Sequence, residues 1–148
     1  MRTYATNRRA SFDYQILETF EAGIELNGHE VKSIRQGRIN LTGAYAVVRQ
    51  NEIWLINANI ASFQPENAPP DFTPLRSRRL LLNRKEVKNL IGKLQDKSLT
   101  LIPLKIYSRG AWIKLELGLA RKKKKADKRE KIRQREAKRE IRKMLRPV

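Results

Sequence analysis

The sequence contains no cysteine, which removes disulfides, thiolate metal sites and thiol nucleophiles together. It has one histidine, His29, so no histidine cluster is available to hold a metal. A lone histidine in a short helical stretch is expected to pack or to face solvent. Long apolar runs are missing as well. Nothing approaches the ~20 residues a membrane span needs, and the opening MRTYATNRRASF lacks the apolar core of a signal peptide. No Gly-rich phosphate cradle and no nucleophile elbow appears. Acidic side chains are few, and Asp13, Asp71, Asp96 and Asp127 fall in four separate segments. A carboxylate-only nuclease stays formally open, but no pair is nominated. The expectation is a cytoplasmic non-enzyme without metal or cofactor.

What the chain does have is positive charge. It carries 33 Lys+Arg against 15 Asp+Glu, a formal +18 over 148 residues. The spread is uneven: residues 121–148 hold 15 basic and 4 acidic side chains, residues 1–120 hold 18 and 11. Such asymmetry points to a polyanion as partner. The division is therefore a body, 1–120, and a basic tail, 121–148. Without a membrane segment, nucleic acid is the polyanion expected, either for a binding module or for a structural ribosomal or ribosome-assembly protein.

The body alternates strand and helix signals. Residues 12–26, rich in β-branched and aromatic types, read as a long strand bent at Gly23. Asn27 and Glu30 form a capping-box start with Leu26 and Val31 as its staple, and Gly37 ends a short helix. Residues 44–63 read as two strands about a turn at Gln50-Asn51. Four prolines within 65–74 exclude helix and central strand. Asn83 and Glu86 repeat the box, and Val87, Leu90, Ile91 and Leu94 form an apolar stripe at helical spacing, expected in the core. Residues 99–119 alternate as a hairpin with its turn at Ser108-Arg109-Gly110. Strand, helix, two strands, helix, two strands suggests a mainly β fold, a small closed antiparallel barrel of the oligonucleotide-binding (OB) type with flanking helices.

Drawn as a helix from Asp127, the tail puts Ala137, Ile141 and Leu145 on a thin stripe beside Met144. That stripe is too narrow to pack on the body, and the like charges are too dense for an isolated helix. Disorder when free and helix on a polyanion is the expectation.

Five stretches together resemble the SsrA-binding protein family, also called small protein B: NRRASFDYQI (7–16), FEAGIELNGHEVKSIRQG (20–37), RRLLLNRKE (78–86), LTLIPLKIY (99–107) and LARKKKKADKRE (119–130). They run in the family's order and span nearly the whole chain. The resemblance implies a monomeric RNA-binding barrel with attached helices. It also implies binding to the tRNA-like domain of transfer-messenger RNA and rescue of stalled ribosomes, in the place a tRNA gives to its anticodon arm. Tyr14, Glu21, Leu81 and Asn83 match family positions implicated in that RNA contact. The residue types suit it: a ring to stack, an acceptor, an apolar contact and an amide for a base edge. Arg76, Arg78, Arg79 and Arg84 are expected phosphate contacts. The resemblance directs Lys122, Lys123, Lys124, Lys125, Asp127, Lys128 and Arg129 to the decoding site and messenger path of the small ribosomal subunit. Lys122 stands where the family usually has Gly, and Ala126 where it has an aromatic or His, so no ring is offered there.

Overall fold

The computed structural model describes residues 1–144, with the backbone alone described at 125–128. The elements in chain order are β1 (Thr3–Thr6), α1 (Ala10–Asp13), β2 (Tyr14–Ile24), α2 (Gly28–Arg35), β3 (Ile39–Asn40), β4 (Tyr45–Arg49), β5 (Glu52–Ile56) and β6 (Asn59–Ile60). A 3-10 turn at Pro65–Asn67 follows, then β7 (Arg78–Leu81), α3 (Arg84–Lys93), β8 (Leu99–Arg109), β9 (Trp112–Lys122) and α4 (Lys125–Met144).

The strands pair in the order β1-β8-β4-β5-β7-β2-β9, and β9 also pairs with β8, so the antiparallel sheet returns on itself as a ring. Three eleven-residue strands, β2, β8 and β9, dominate it, with β2 and β9 paired from Tyr14↔Lys122 to Gly23↔Lys114. Irregularities at Ile16/Glu18 and Pro103/Lys105 interrupt the registers of β2 and β8, as expected of strands that must curve. Phe20, Ala22, Ile24, Ile53, Leu55, Leu80, Leu101, Ile106, Leu115 and Leu117 fill the interior.

Local chemistry explains most elements. In α2 both halves of the capping box form: Asn27 Oδ1 accepts from the Glu30 N–H and Glu30 Oε1 from the Asn27 N–H. At α3 only the forward half forms, with Asn83 Oδ1 accepting from the Glu86 N–H at 2.8 Å. Gln50 and Asn51 both take positive φ, 53° and 60°, which gives the tight β4–β5 hairpin its turn.

Four expectations need correction. β7 is a strand that the sequence pattern hides, because one of its two inward positions is an arginine, Arg78, beside Leu80. The α3 stripe is not core throughout: Leu90 is buried, while Val87 and Ile91 line an open groove. The final hairpin turns at Gly110-Ala111, since Ser108 and Arg109 still pair with Ile113 and Trp112. Finally, β9 runs on through Lys122, so Arg121 and Lys122 are strand residues opposite Gln15 and Tyr14. Of the tail stripe, Ile141 and Met144 are exposed on α4, and Leu145 lies outside the described residues.

Candidate nucleic-acid interface

Strand alternation sorts β2 into two faces. Phe20, Ala22 and Ile24 point into the ring, so Glu21 and Gly23 face out. The register then builds a row across four strands: Tyr107 on β8 opposite Lys114 on β9, Lys114 opposite Gly23 on β2, and Gly23 opposite Leu81 on β7. One step along lies a second row, Lys105, Glu116 and Glu21. A Cβ at Gly23 would stand 3.2 Å from Leu81 Cβ, a tight contact that Leu81 would have to relieve by a few tenths of an ångström. Leu81 is 46% exposed on the outer face.

Leu81 also borders a groove of about 760 Å³ with Glu52, Arg79, Arg84, Val87 and Lys88. Asn83 caps α3 at its edge. Its Oδ1 accepts from the Glu86 N–H, which leaves both amide hydrogens and one lone pair for a base. Arg79 sits between Glu25 at 3.0 Å and Glu52 at 2.9 Å. Its bonds to Glu52 and then Glu25 raise the guanidinium above its ordinary value. Arg84 and Lys85 in the first turn of α3 oppose the helix dipole, an arrangement that favours an approaching anion.

Glu21 is already engaged. Its Oε2 accepts from the Tyr107 hydroxyl and lies 3.3 Å from Arg109. Burial, and then the bond to Glu21, pushes the Tyr107 phenol up to about 12. Glu21 therefore holds a neighbouring arginine through one of its two oxygens.

The remaining expected residues divide. Arg78 is not a surface cation: it is 0% exposed and Glu30 1%. Its Nε and Nη2 donate to Glu30 Oε2 at 2.6 and 2.5 Å, its Nη1 to Ala58 O and its Nη2 also to Pro74 O. An arginine with its donors spent inside the protein has none for phosphate. Burial lowers the Arg78 pKa, with Glu30 opposing. Burial raises the Glu30 carboxyl, but bonds from Arg76, the Asn27 N–H and Arg78 together hold it below its ordinary value. Arg76, half exposed, completes the cluster at 2.5 Å from Glu30 Oε1.

Tyr14 lies apart, seven residues from Glu21 along β2, roughly 23 Å at 3.3 Å per residue. It packs partly against Ala10, Ile102 and Ala120, beneath the root of the tail. There Lys123 and Lys131 both donate to the Ser11 carbonyl, at 2.9 and 2.6 Å, and Arg135 lies over Phe12. Burial, then the nearby Lys123 charge, lowers the Lys131 pKa. Lys124 follows β9 as an exposed cation and Arg129 is exposed on α4; the side chains of Lys125, Asp127 and Lys128 lie outside the described residues. His29 packs between Phe63 and Phe72 and bonds Ser62 at 2.9 Å. No group of His, Cys, Asp or Glu suited to a metal occurs among the described residues.

Sequence reasoning did not single out Tyr107, Arg109, Lys114 or Trp112, which complete the outer face. Lys114 reaches β2 by pairing with Gly23, and Tyr107, Arg109 and Trp112 share its face through the β8–β9 register; local pattern does not carry register.

A family model described as SmpB protein matches residues 4–147. The chain is 49% identical over 145 residues to the SsrA-binding protein of Synechococcus elongatus, covering 98% of this chain and 94% of that one. To the SsrA-binding protein of Gloeobacter violaceus it is 52% identical over 140 residues, covering 95% and 91%. A solved chain described as "tmRNA-SmpB: a journey to the center of the bacterial ribosome" matches with a TM-score of 0.68 and 47% identity, over 82% of this chain and 85% of that one.

Proposed function

The chain belongs to the SmpB protein family, and on that premise we propose that it binds transfer-messenger RNA and delivers it to stalled ribosomes for trans-translation. The ring of strands is, in this reading, a closed barrel of the OB type. The outer face of β2 and β7, with the start of α3, holds the RNA. Leu81 supplies apolar contact, Asn83 donates to a base edge, and Glu21 accepts from a base or 2′-hydroxyl while fixing Arg109. Arg76, Arg79 and Arg84 bind phosphate. Tyr14 belongs to the tail side of the molecule. The tail, from Lys123 onward, enters the decoding site and messenger path, its helix weakly held in the free protein and firmly formed on ribosomal RNA. The protein works as a cytoplasmic monomer and performs no catalysis.

The observation that carries the reading is the gathering of Glu21, Leu81 and Asn83, distant in sequence, at one outer face by the β2–β7 register. A gel-shift comparison of transfer-messenger RNA with bulk ribosomal RNA tests it, using the full chain and a chain ending at Lys123. Selective retention of the former RNA by both chains is expected. Equal binding of both RNAs would favour a structural ribonucleoprotein role instead.

A further inference from the structure

Trp112 is 73% exposed at the tip of the β8–β9 hairpin. Single exposed apolar residues are ordinary, so its surroundings must carry the argument. The indole is displayed from a fixed support: Trp112 pairs with Arg109 across the hairpin, and Arg35 of α2 donates to the Ala111 carbonyl at 3.2 Å, tying the turn to the body. Directly paired residues share a face. Trp112 and Arg109 therefore stand on the side that carries Tyr107 and Lys114, and so on the side of Glu21 and Leu81.

That face offers cations beside the ring, and Glu21 and Glu116, the carboxylates of its two rows, are each paired. Glu21 is held by Tyr107 and Arg109, and Glu116 lies 3.6 Å from Lys105. Tyr107, the neighbouring ring on β8, is 4% exposed with its hydroxyl bound, so it has no open surface for stacking. Trp112 lies two strands and two residues from Leu81, roughly 12 Å by sheet spacing, short enough for one RNA segment to touch both. An exposed ring flanked by arginine and lysine matches an unpaired base with its phosphates.

We propose that Trp112 is a stacking platform for an unpaired base of the RNA that Leu81 and Asn83 engage, with Arg109 and Lys114 contacting the adjacent phosphates. The inference rests on the proposed function and extends its site by one row toward the hairpin tip.

The test uses the intact protein and transfer-messenger RNA. Trp112→Ala is expected to weaken binding about tenfold or more, and Trp112→Phe by no more than about threefold, since a smaller ring still stacks. The dependence on salt should be unchanged in both, because no phosphate contact is lost, whereas Arg109→Gln should flatten it. Irradiation of 4-thiouridine-substituted RNA bound to the unsubstituted protein should cross-link the peptide containing Trp112. Binding by Trp112→Ala within about twofold of the parent, equal losses for Ala and Phe, or absence of that cross-linked peptide would each overturn the proposal. If the parent chain itself shows no preference for transfer-messenger RNA over ribosomal RNA, the proposed function fails first and this inference falls with it.

Discussion

With the proposed RNA contact, Asn83 would have two tasks on separate atoms, and substitution can part them. Its oxygen starts α3 and its amide remains for RNA. Asn83→Ser keeps an acceptor for the cap, so stability should change by less than about 0.5 kcal/mol, while RNA binding weakens about tenfold as one base-edge contact goes. Asn83→Ala should lose the contact and a further ~1 kcal/mol of stability. Thermal unfolding beside filter binding reads both. Equal RNA affinity for the Ser variant and the parent would remove Asn83 from the interface. The neighbouring arginines separate more sharply. Arg78→Met strands the buried Glu30 carboxylate and should cost about 3–5 kcal/mol. Arg79→Ala, in a half-exposed pair, should cost less than ~1 kcal/mol yet lower the salt slope of RNA binding by about 0.7–0.9. Glu30 also sets an acid limit. Its folded carboxyl is held below its ordinary 4.5. A carboxyl depressed on folding stabilises above that ordinary value, and the contribution is lost as pH falls through the folded one. Glu30→Gln should therefore be less stable at neutral pH and show a flatter decline in acid, measured as urea midpoints across pH.

At the level of elements, legibility in the sequence followed how local the determining physics is. α2 was readable because its start is settled within four residues, Asn27 to Glu30. The β4–β5 and β8–β9 hairpins were readable because alternation and a short turn are both local. β7 was not, since Arg78 holds a core position only by virtue of Glu30, 48 residues earlier. Of the interface, Glu21, Leu81 and Asn83 came from family likeness. Their meeting on one face depends on the Gly23↔Leu81 register, which no local pattern encodes. The tail was legible as charge but not as a junction, because the strand partners of Arg121 and Lys122 lie in β2 and β8. Lys123 and Lys131 crowd one carbonyl at that junction, and like charges there hold α4 weakly. Amides beyond Arg135 should exchange nearly as fast as in an unstructured chain; strong protection throughout α4 would contradict this. On ribosomes stalled at a truncated message, replacing Lys122–Lys125 with Gln should slow peptidyl transfer more than Ala126→Tyr changes it. The difference should shrink as salt rises, since wild-type phosphate contacts weaken with salt and the variant lacks them. The reverse ranking would mean that ring geometry governs the step.

Across the whole molecule, the proposed RNA face and the root of the tail lie at different parts of one ring. Ending the chain at Lys123 is expected to leave affinity for transfer-messenger RNA within about threefold, since base contacts rather than bulk charge specify that partner, and to abolish tagging in a reconstituted translation system. Tagging by the shortened chain would refute the division. The two parts are joined by β2 and β9, whose registers run from Tyr14↔Lys122 beside the tail to Gly23↔Lys114 beside Leu81. β9 is flanked by β2 on one side and β8 on the other. The pairing has a mechanical consequence. A pull on the tail, relative to RNA gripped at the far end, loads β9 along its length and sets both hydrogen-bonded ladders in shear. Their bonds must then yield together instead of opening one by one. Held by its last residue and by bound RNA in an optical trap, the chain should first give up α4 at low force and then resist as one stiff body, which would let a ribosome that grips the tail, as proposed, haul on it without tearing the ring of strands from its cargo.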